Sequence, residues 1–566
     1  MKIKSLNIAA GALLLLLAFG CSKDLLDEKP PQLISTESLY STLAGFDAGI
    51  NGLYATLREE RDCVRDIELR AGMYLGGTDN LVSNYKSSYG FNLISQLWGN
   101  SNNPLEEFYS DTFTWLYSVI NAANTIINQA QKRDDVDWAG GGFTPAENKN
   151  RVIAEAKALR AWAYRHLTFG WGDVPLSLEE ALGSNIKTDW ERSPVAEVRR
   201  QIISDLLFAE EHLEVRPSMR LRITKGAIQH YLAEMYLTIK KPDSAFYWAD
   251  KVVSTPEYKL ITSRYGTKKS QPGVPFMDMF YEGNENYDQG NTEALWVWQY
   301  ALKTLGGGEN YTRRYYTSRL SDWVIPGKNG ELPGTRALQD TYERGGRGRS
   351  RQAMTKWALD LYEPQDDRAT NFAIRKFFIL NDATANAPYP ADTRPKGYNF
   401  GDTIWCIWNK EISAVPANTQ LPSWPFSRKC EGTDPDNVGG GEQYNDLIYL
   451  RLAETYLLKA EAEYLLGRPG DAATTINFVR SRSNATPVAA GAINIDFILD
   501  ERSRELVMEE NRRWTLLRTG KWLERVQLHN KNGGHLTTAR DTIFPIPQVV
   551  IDANLTKPMT QNPGWE

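Results

Sequence analysis

Two stretches of the sequence gather side chains suited to holding a sugar. From Gly76 to Pro104, Tyr85, Tyr89, Phe91 and Trp98 stand among polar, turn-forming residues, and Asn100 and Asn103 follow Trp98. Further on, Arg313, Tyr315, Tyr316 and Trp323 form the densest comparable group. The C–H edges of a pyranose or furanose ring pack on flat aromatic faces, while its hydroxyls need planar partners such as Asn, Asp and Arg. The candidate ligand-binding set is therefore Tyr85, Tyr89, Trp98, Asn100, Arg313, Tyr315, Tyr316 and Trp323. Each ring alone is equally an ordinary core residue; the grouping carries the reading.

Nothing comparable points to catalysis. The chain has no GxSxG elbow, no HExxH and no P-loop, and only five histidines; His166, His212 and His230 fall inside helical patterns. With 70 acidic residues, some carboxylate pairs lie at glycosidase spacing in any fold, so their number carries no signal. No cofactor is expected. Asp79-Asn80 and Asp366-Asp367-Arg368 have calcium-type chemistry but read first as turn-formers and solvated charges, with no repeat of acidic ligands around a glycine. Cys63, Cys406 and Cys430 are too irregularly spaced for a metal site and permit at most one bridge, of which Cys406 to Cys430 is one choice.

The first 20 residues carry lysines at the front, an apolar run from Ile8 to Phe19 and small Gly20 before Cys21. The run is too short to span a bilayer and has the form of a secretory leader. Cys21 is the expected lipidation site, and residues 21–35, charged and containing Pro30-Pro31, read as a tether. At 42% hydrophobic and 24% charged, the whole sequence has the composition of a folded globular chain. Net charge is -5, which argues against a nucleic-acid partner. The basic run Arg344 to Arg351 (RGGRGRSR) reads as a solvated loop.

Helices must position these groups. Arg151 to Gly170 places Val152, Ala156, Leu159, Ala163 and Leu167 on one face; small alanines beside them let neighbours approach closely, and Gly170, Gly172 and Pro175 end the helix in a fixed turn. Thr36–Leu57, capped by Ser35 or Thr36, Asp111–Ala130 and Val195–Leu213 read as further helices. Ile223–Ile239 with the helix from Pro242, and Asn445–Leu466 with the helix after Gly467–Gly470, read as two hairpins of tetratricopeptide type. Between them the helical period disappears, and Thr292–Tyr300 and Thr403–Trp408 alternate like strands. The expected architecture is mainly α: a tetratricopeptide-like frame over residues 36–260 and 442–566, with a loop-rich, aromatic-rich insertion at 261–441 carrying short strands.

Several of these motifs resemble the RagB/SusD family of outer-membrane nutrient-binding lipoproteins. They are Leu159-Arg160-Ala161 with Trp171-Gly172-Asp173-Val174-Pro175, Tyr117 followed by Asn121 and Asn124, and Leu450-Arg451-Leu452-Ala453-Glu454 with Lys459-Ala460-Glu461-Ala462. Ile476-Asn477-Phe478-Val479-Arg480, the charged run Glu501–Arg518, Pro545-Ile546-Pro547-Gln548 and Gln561–Trp565 complete the set. Glu510 and Thr515 stand where the family usually shows Gly and Asp, which implies a rewired network there. The acidic tether resembles the export signals of Bacteroidetes-type surface lipoproteins. The resemblance implies a non-catalytic lipoprotein, lipid-anchored at the outer membrane and facing the exterior. Such a protein captures oligosaccharides and closes as a lid over a TonB-dependent, SusC-like transporter. Peptide capture by the same machine and a helical glycan-degrading enzyme are the alternatives.

Overall fold

Thr42 turns the chain into its first long helix: its hydroxyl accepts the Gly45 N–H at 3.2 Å and opens α1, Leu43–Arg58. The cap expected at Ser35 or Thr36 is displaced, because Thr36–Leu39 is a separate four-residue helix. The computed structural model describes residues 36–65, 68–83, 90–182, 185–380, 394–415, 422–432 and 434–566. The leader, Cys21 and the tether lie outside the described residues, as do Tyr85 and Tyr89.

The next helix, α2, runs Glu107–Lys132, and α3 runs Pro145–Gly170. Thr144 and Glu147 form a reciprocal capping box at the start of α3, with Pro145 in its first turn. The expected apolar face of α3 is fully buried, and the helix packs against α1, α2 and α4, Val195–His212. So enclosed, α3 must pair its charges. Arg160 makes a two-pronged bond to Asp205 of α4, both contacts 2.8 Å, and Arg165 does the same to Glu234 of α5, Lys225–Thr238. Glu155 takes Arg151, Arg222 and the Tyr54 hydroxyl.

The stack continues through α6, Pro242–Val253, and then the chain leaves it. Strand β1, Ala294–Trp298, precedes a long excursion that holds β2, Phe377–Ile379, and β3, Thr403–Trp405. The excursion ends at β4, Leu447–Arg451, which pairs antiparallel with β1, Leu447 opposite Trp298. Residues 299–446 therefore depart and return at one clamp. Beyond it α7, Leu452–Leu465, packs directly on α6, with Ala245 and Ala249 against Leu458 and Ala462. The small residues let the two halves of the frame join as though the insertion were absent. The pairing moves the start of the expected Asn445–Leu466 helix: Ile448, Tyr449 and Leu450 are spent on the strand.

The end of the frame comprises α8, Pro469–Arg482, α9, Ile495–Leu506, and α10, Arg512–Arg518. Its arginines and glutamates interlock underneath the insertion: Arg368 reaches Asp366, Glu501 and Glu505, and Arg451 reaches Glu293, Glu505 and Glu509. Glu510 and Thr515 form a second set with Arg502 and Arg512. The last segment folds back on the turn after α3. The Trp171 indole donates to Pro545 O at 2.9 Å, and Asn562 donates to Trp171 O and Phe544 O at 3.0 and 2.7 Å. Tyr117 and Asn124 bond the same turn at Pro175 O and Ser177 O. The motifs at Tyr117–Asn124, Trp171–Pro175, Pro545–Gln548 and Gln561–Trp565 thus meet at one junction, which is structural.

The insertion has a core of its own, built from Leu320, Trp323, Ile325, Leu338, Phe378, Leu380, Ile404, Cys406 and Phe426. Cys406 and Cys430 are free thiols, so no bridge joins them.

Candidate ligand-binding surface

The two aromatic segments singled out in the sequence do converge, but in the interior. Tyr315 donates toward Glu68 and Asn92 at 3.5 and 3.4 Å, and Asn92 bonds Glu68 at 2.6 Å and accepts from Gln352 at 2.6 Å. Tyr315 and Tyr316 are 0% exposed. Trp98 is also 0% exposed, held edge-on between Phe91 and Trp522. Trp323 is a member of the insertion core, edge-on to Phe378. Arg313 is fully buried and donates to the Val438, Gly440 and Glu442 carbonyls. Of the expected set that the structure describes, only Asn100 reaches solvent. The rings are spent on packing in two places: Trp323 fills the insertion's own core, whereas Trp98, Tyr315 and Tyr316 belong to the main core of the frame. Asp79 is likewise taken, by Arg512 and Arg525, and Asp366 by Arg368. Burial alone would raise Asp79, but the two arginines hold it down at about 2. Among the described residues no group of three or more His, Cys, Asp or Glu is placed to hold a metal.

The aromatic surface lies elsewhere, on the β2–β3 hairpin. Strand alternation decides which rings it shows. Phe378 and Ile404 face each other across the pair and point into the insertion core, so their neighbours Phe377 and Trp405, also paired, point outward. Ile379, opposite Thr403, extends the same outer face. Trp405 is 58% exposed, and its ring sits 4.9 Å from Phe377 and 6.4 Å from Trp408. The three rings are tilted by 56° and 44° in succession, which gives a ladder of faces rather than a stack closed on itself.

The ladder is rigidly mounted. Asn371 Oδ1 accepts the Lys376 and Phe377 N–H groups at 2.7 and 3.1 Å, and the Cys406 and Ile407 N–H groups bond Lys376 O and Ser423 O at 2.9 and 2.8 Å. Trp408 is half-buried and packs against both the frame core and the insertion core. An exposed indole on so well supported a strand is costly unless something covers it, and sugar rings are covers of suitable shape. The sequence held the signal. Thr403 to Trp408 alternates, and with Ile404 and Cys406 inward, Trp405 must face out.

A stacked-helix frame that carries a looped insertion with an aromatic ladder defines a mainly α scaffold of tetratricopeptide-like type. A profile of the SusD family matches residues 292–565, and one described as starch-binding associating with outer membrane matches residues 24–237. The chain belongs to the SusD/RagB family. It is 26% identical over 560 residues to SusD-like protein P25 of Formosa agariphila, covering 93% of this chain and 92% of that one. The starch-binding protein SusD of Bacteroides thetaiotaomicron is 34% identical over 125 residues, 21% of this chain and 22% of its own. Among solved structures, surface glycan-binding protein A of Bacteroides thetaiotaomicron in complex with laminarihexaose superposes with a TM-score of 0.64 at 20% identity, covering 92% of this chain and 99% of that one. A SusD homolog of the same species gives 0.68 at 19% identity, with 94% and 98% covered. These likenesses establish a shared fold.

Proposed function

We propose that this protein is a non-catalytic surface glycan-binding lipoprotein, anchored in the outer membrane through acylated Cys21. It captures oligosaccharides on the outer face of β2–β3 and passes them to a TonB-dependent, SusC-like transporter, over which it closes as a lid. The observation that carries the reading is the Phe377–Trp405–Trp408 ladder, with Trp405 open to solvent, on a strand pair anchored at Lys376–Phe377 and Cys406–Ile407. Relatives named as starch-binding and laminarin-binding support the ligand class. The description of the matching profile as associating with outer membrane supports the location. The frame supports rigid-body closure, because α6 and α7 join it into one stack beneath the insertion.

The test is retention of the soluble protein, beginning after Cys21, in gels containing a panel of polysaccharides, with calorimetry and product analysis alongside. Saturable glycan binding without product, lost in Trp405→Ala, is expected. Product formation would overturn the reading, and binding confined to peptides would replace its cargo. Co-purification of the full-length lipoprotein with a TonB-dependent barrel from native membranes tests the lid; its absence would remove that role.

A further inference from the structure

The basic run that reads in sequence as a solvated loop is drawn down against the short helix Thr312–Tyr316. The Arg349 N–H bonds Arg314 O and the Ser350 N–H bonds Thr317 O, both at 2.8 Å. Gly348 lies so close to the Thr317 backbone that no side chain fits there. The result is a concentration of arginines: Arg314, Arg319, Arg347 and Arg349 are all half-buried, with Arg351 behind them. At Arg368, Arg451, Arg482 and Arg512 the chain matches enclosed arginines to carboxylates. Of Arg314, Arg319, Arg347 and Arg349, only Arg319 is so matched among the described residues. Arg347 donates to the Gly439 carbonyl at 3.0 Å, and Arg319 pairs with Asp322 at 3.1 Å. Neither the Arg314 nor the Arg349 guanidinium has a hydrogen-bond or ion-pair partner among the described residues, and the Nε of each is buried. Burial and the four neighbouring arginines push Arg349 below the usual guanidinium range. Four like charges gathered in a chain of net charge -5 are held at a cost that an incoming anion would remove.

We infer that Arg314, Arg319, Arg347 and Arg349 form an anion-binding face that takes the sulfate or carboxylate groups of an acidic glycan. Guanidinium groups present paired donors to such oxyanions, which lysines or neutral amides do not. The inference rests on the glycan-capture reading and narrows its substrate class. The ladder supplies faces for ring C–H edges, and the arginines supply the charge that selects among rings.

The experiment compares dextran with dextran sulfate, and neutral galactan with polygalacturonate, on the wild-type protein, Arg314→Gln/Arg349→Gln, Arg349→Lys and Trp405→Ala. Binding to an anionic member of at least one pair should exceed binding to its neutral partner and weaken as NaCl is raised. The double variant should lose about tenfold or more in affinity for that anionic member, with a melting temperature no lower than the wild type's, because neither side chain holds a partner. Arg349→Lys, which keeps the charge, should lose less. Preference for dextran sulfate or for polygalacturonate assigns the anion as sulfate or carboxylate. Equal binding to neutral and anionic members, or full affinity in the double variant, would overturn the inference and leave glycan capture standing. Failure to bind any glycan would overturn both.

Discussion

Trp405 spends most of an indole on water, and covering one such face with a sugar recovers roughly 1–2 kcal/mol by area. Trp405→Ala should therefore weaken glycan binding about tenfold or more in calorimetry while leaving the melting temperature nearly unchanged. Trp98→Ala should do the reverse. It empties a buried site between Phe91 and Trp522 and should cost roughly 3–5 kcal/mol in denaturant unfolding, with no effect on binding beyond the folded fraction. In sequence the two tryptophans differ only locally, Trp98 standing before the turn residues Gly99 and Asn100 and Trp405 within the alternating run Thr403–Trp408. What separates them is a strand register that puts Trp405 outward and a tertiary contact, with Trp522, that takes Trp98 in. Glu68 makes a different test. Burial pushes it up from 4.5 to about 7, against the hydrogen bonds from Asn92 and Tyr315. A raised carboxyl contributes stability below its ordinary pKa and loses it as pH rises through the folded value. Glu68→Gln should accordingly raise stability at pH 8 by roughly 2 kcal/mol and change it little at pH 5, read by thermal melts at both.

At the scale of elements, the frame was legible because each helix declares itself by period and punctuation. The buried stripe of α3 and the start of α6 at Pro242 follow from their residues; the structure keeps the start of α6 and extends α3 upstream from Arg151 to Pro145. The misplaced start of α7 has a tertiary cause. Leu447 to Arg451 reads equally as helix or strand, and only β1, some 150 residues upstream, decides it. The same blindness hid the second core, since nothing local says that Trp323 packs on Phe378. The α6–α7 contact is the element on which the two halves depend. Leu458→Ala truncates a buried leucine of that contact and should destabilise by roughly 2–5 kcal/mol in urea unfolding.

Across the whole molecule, carboxylates far apart in sequence hold the frame closed. Burial opposes their charge, but arginines hold Asp79, Glu234 and Glu501 at about 2. Such depressed groups stabilise above their ordinary values near 4 and lose that contribution as pH falls through 2. Glu68 at about 7 and Glu285 at about 8, both raised chiefly by burial, act in the opposite sense and lower stability as pH climbs past 4.5. Melting temperature should peak at about pH 5 and fall on either side, steeply below pH 4; a flat profile from pH 3 to 8 would contradict this arrangement of charges. The rigidity so gained fixes the insertion, and the insertion fixes the ladder, which is the central claim. Its most direct measurement is calorimetric titration of wild-type and Trp405→Ala protein with the oligosaccharide that the panel selects. Saturable binding in the wild type, lost by tenfold or more in the variant at unchanged melting temperature, is the predicted result. Equal affinity in the two proteins would show that the ladder is not where this molecule holds its ligand.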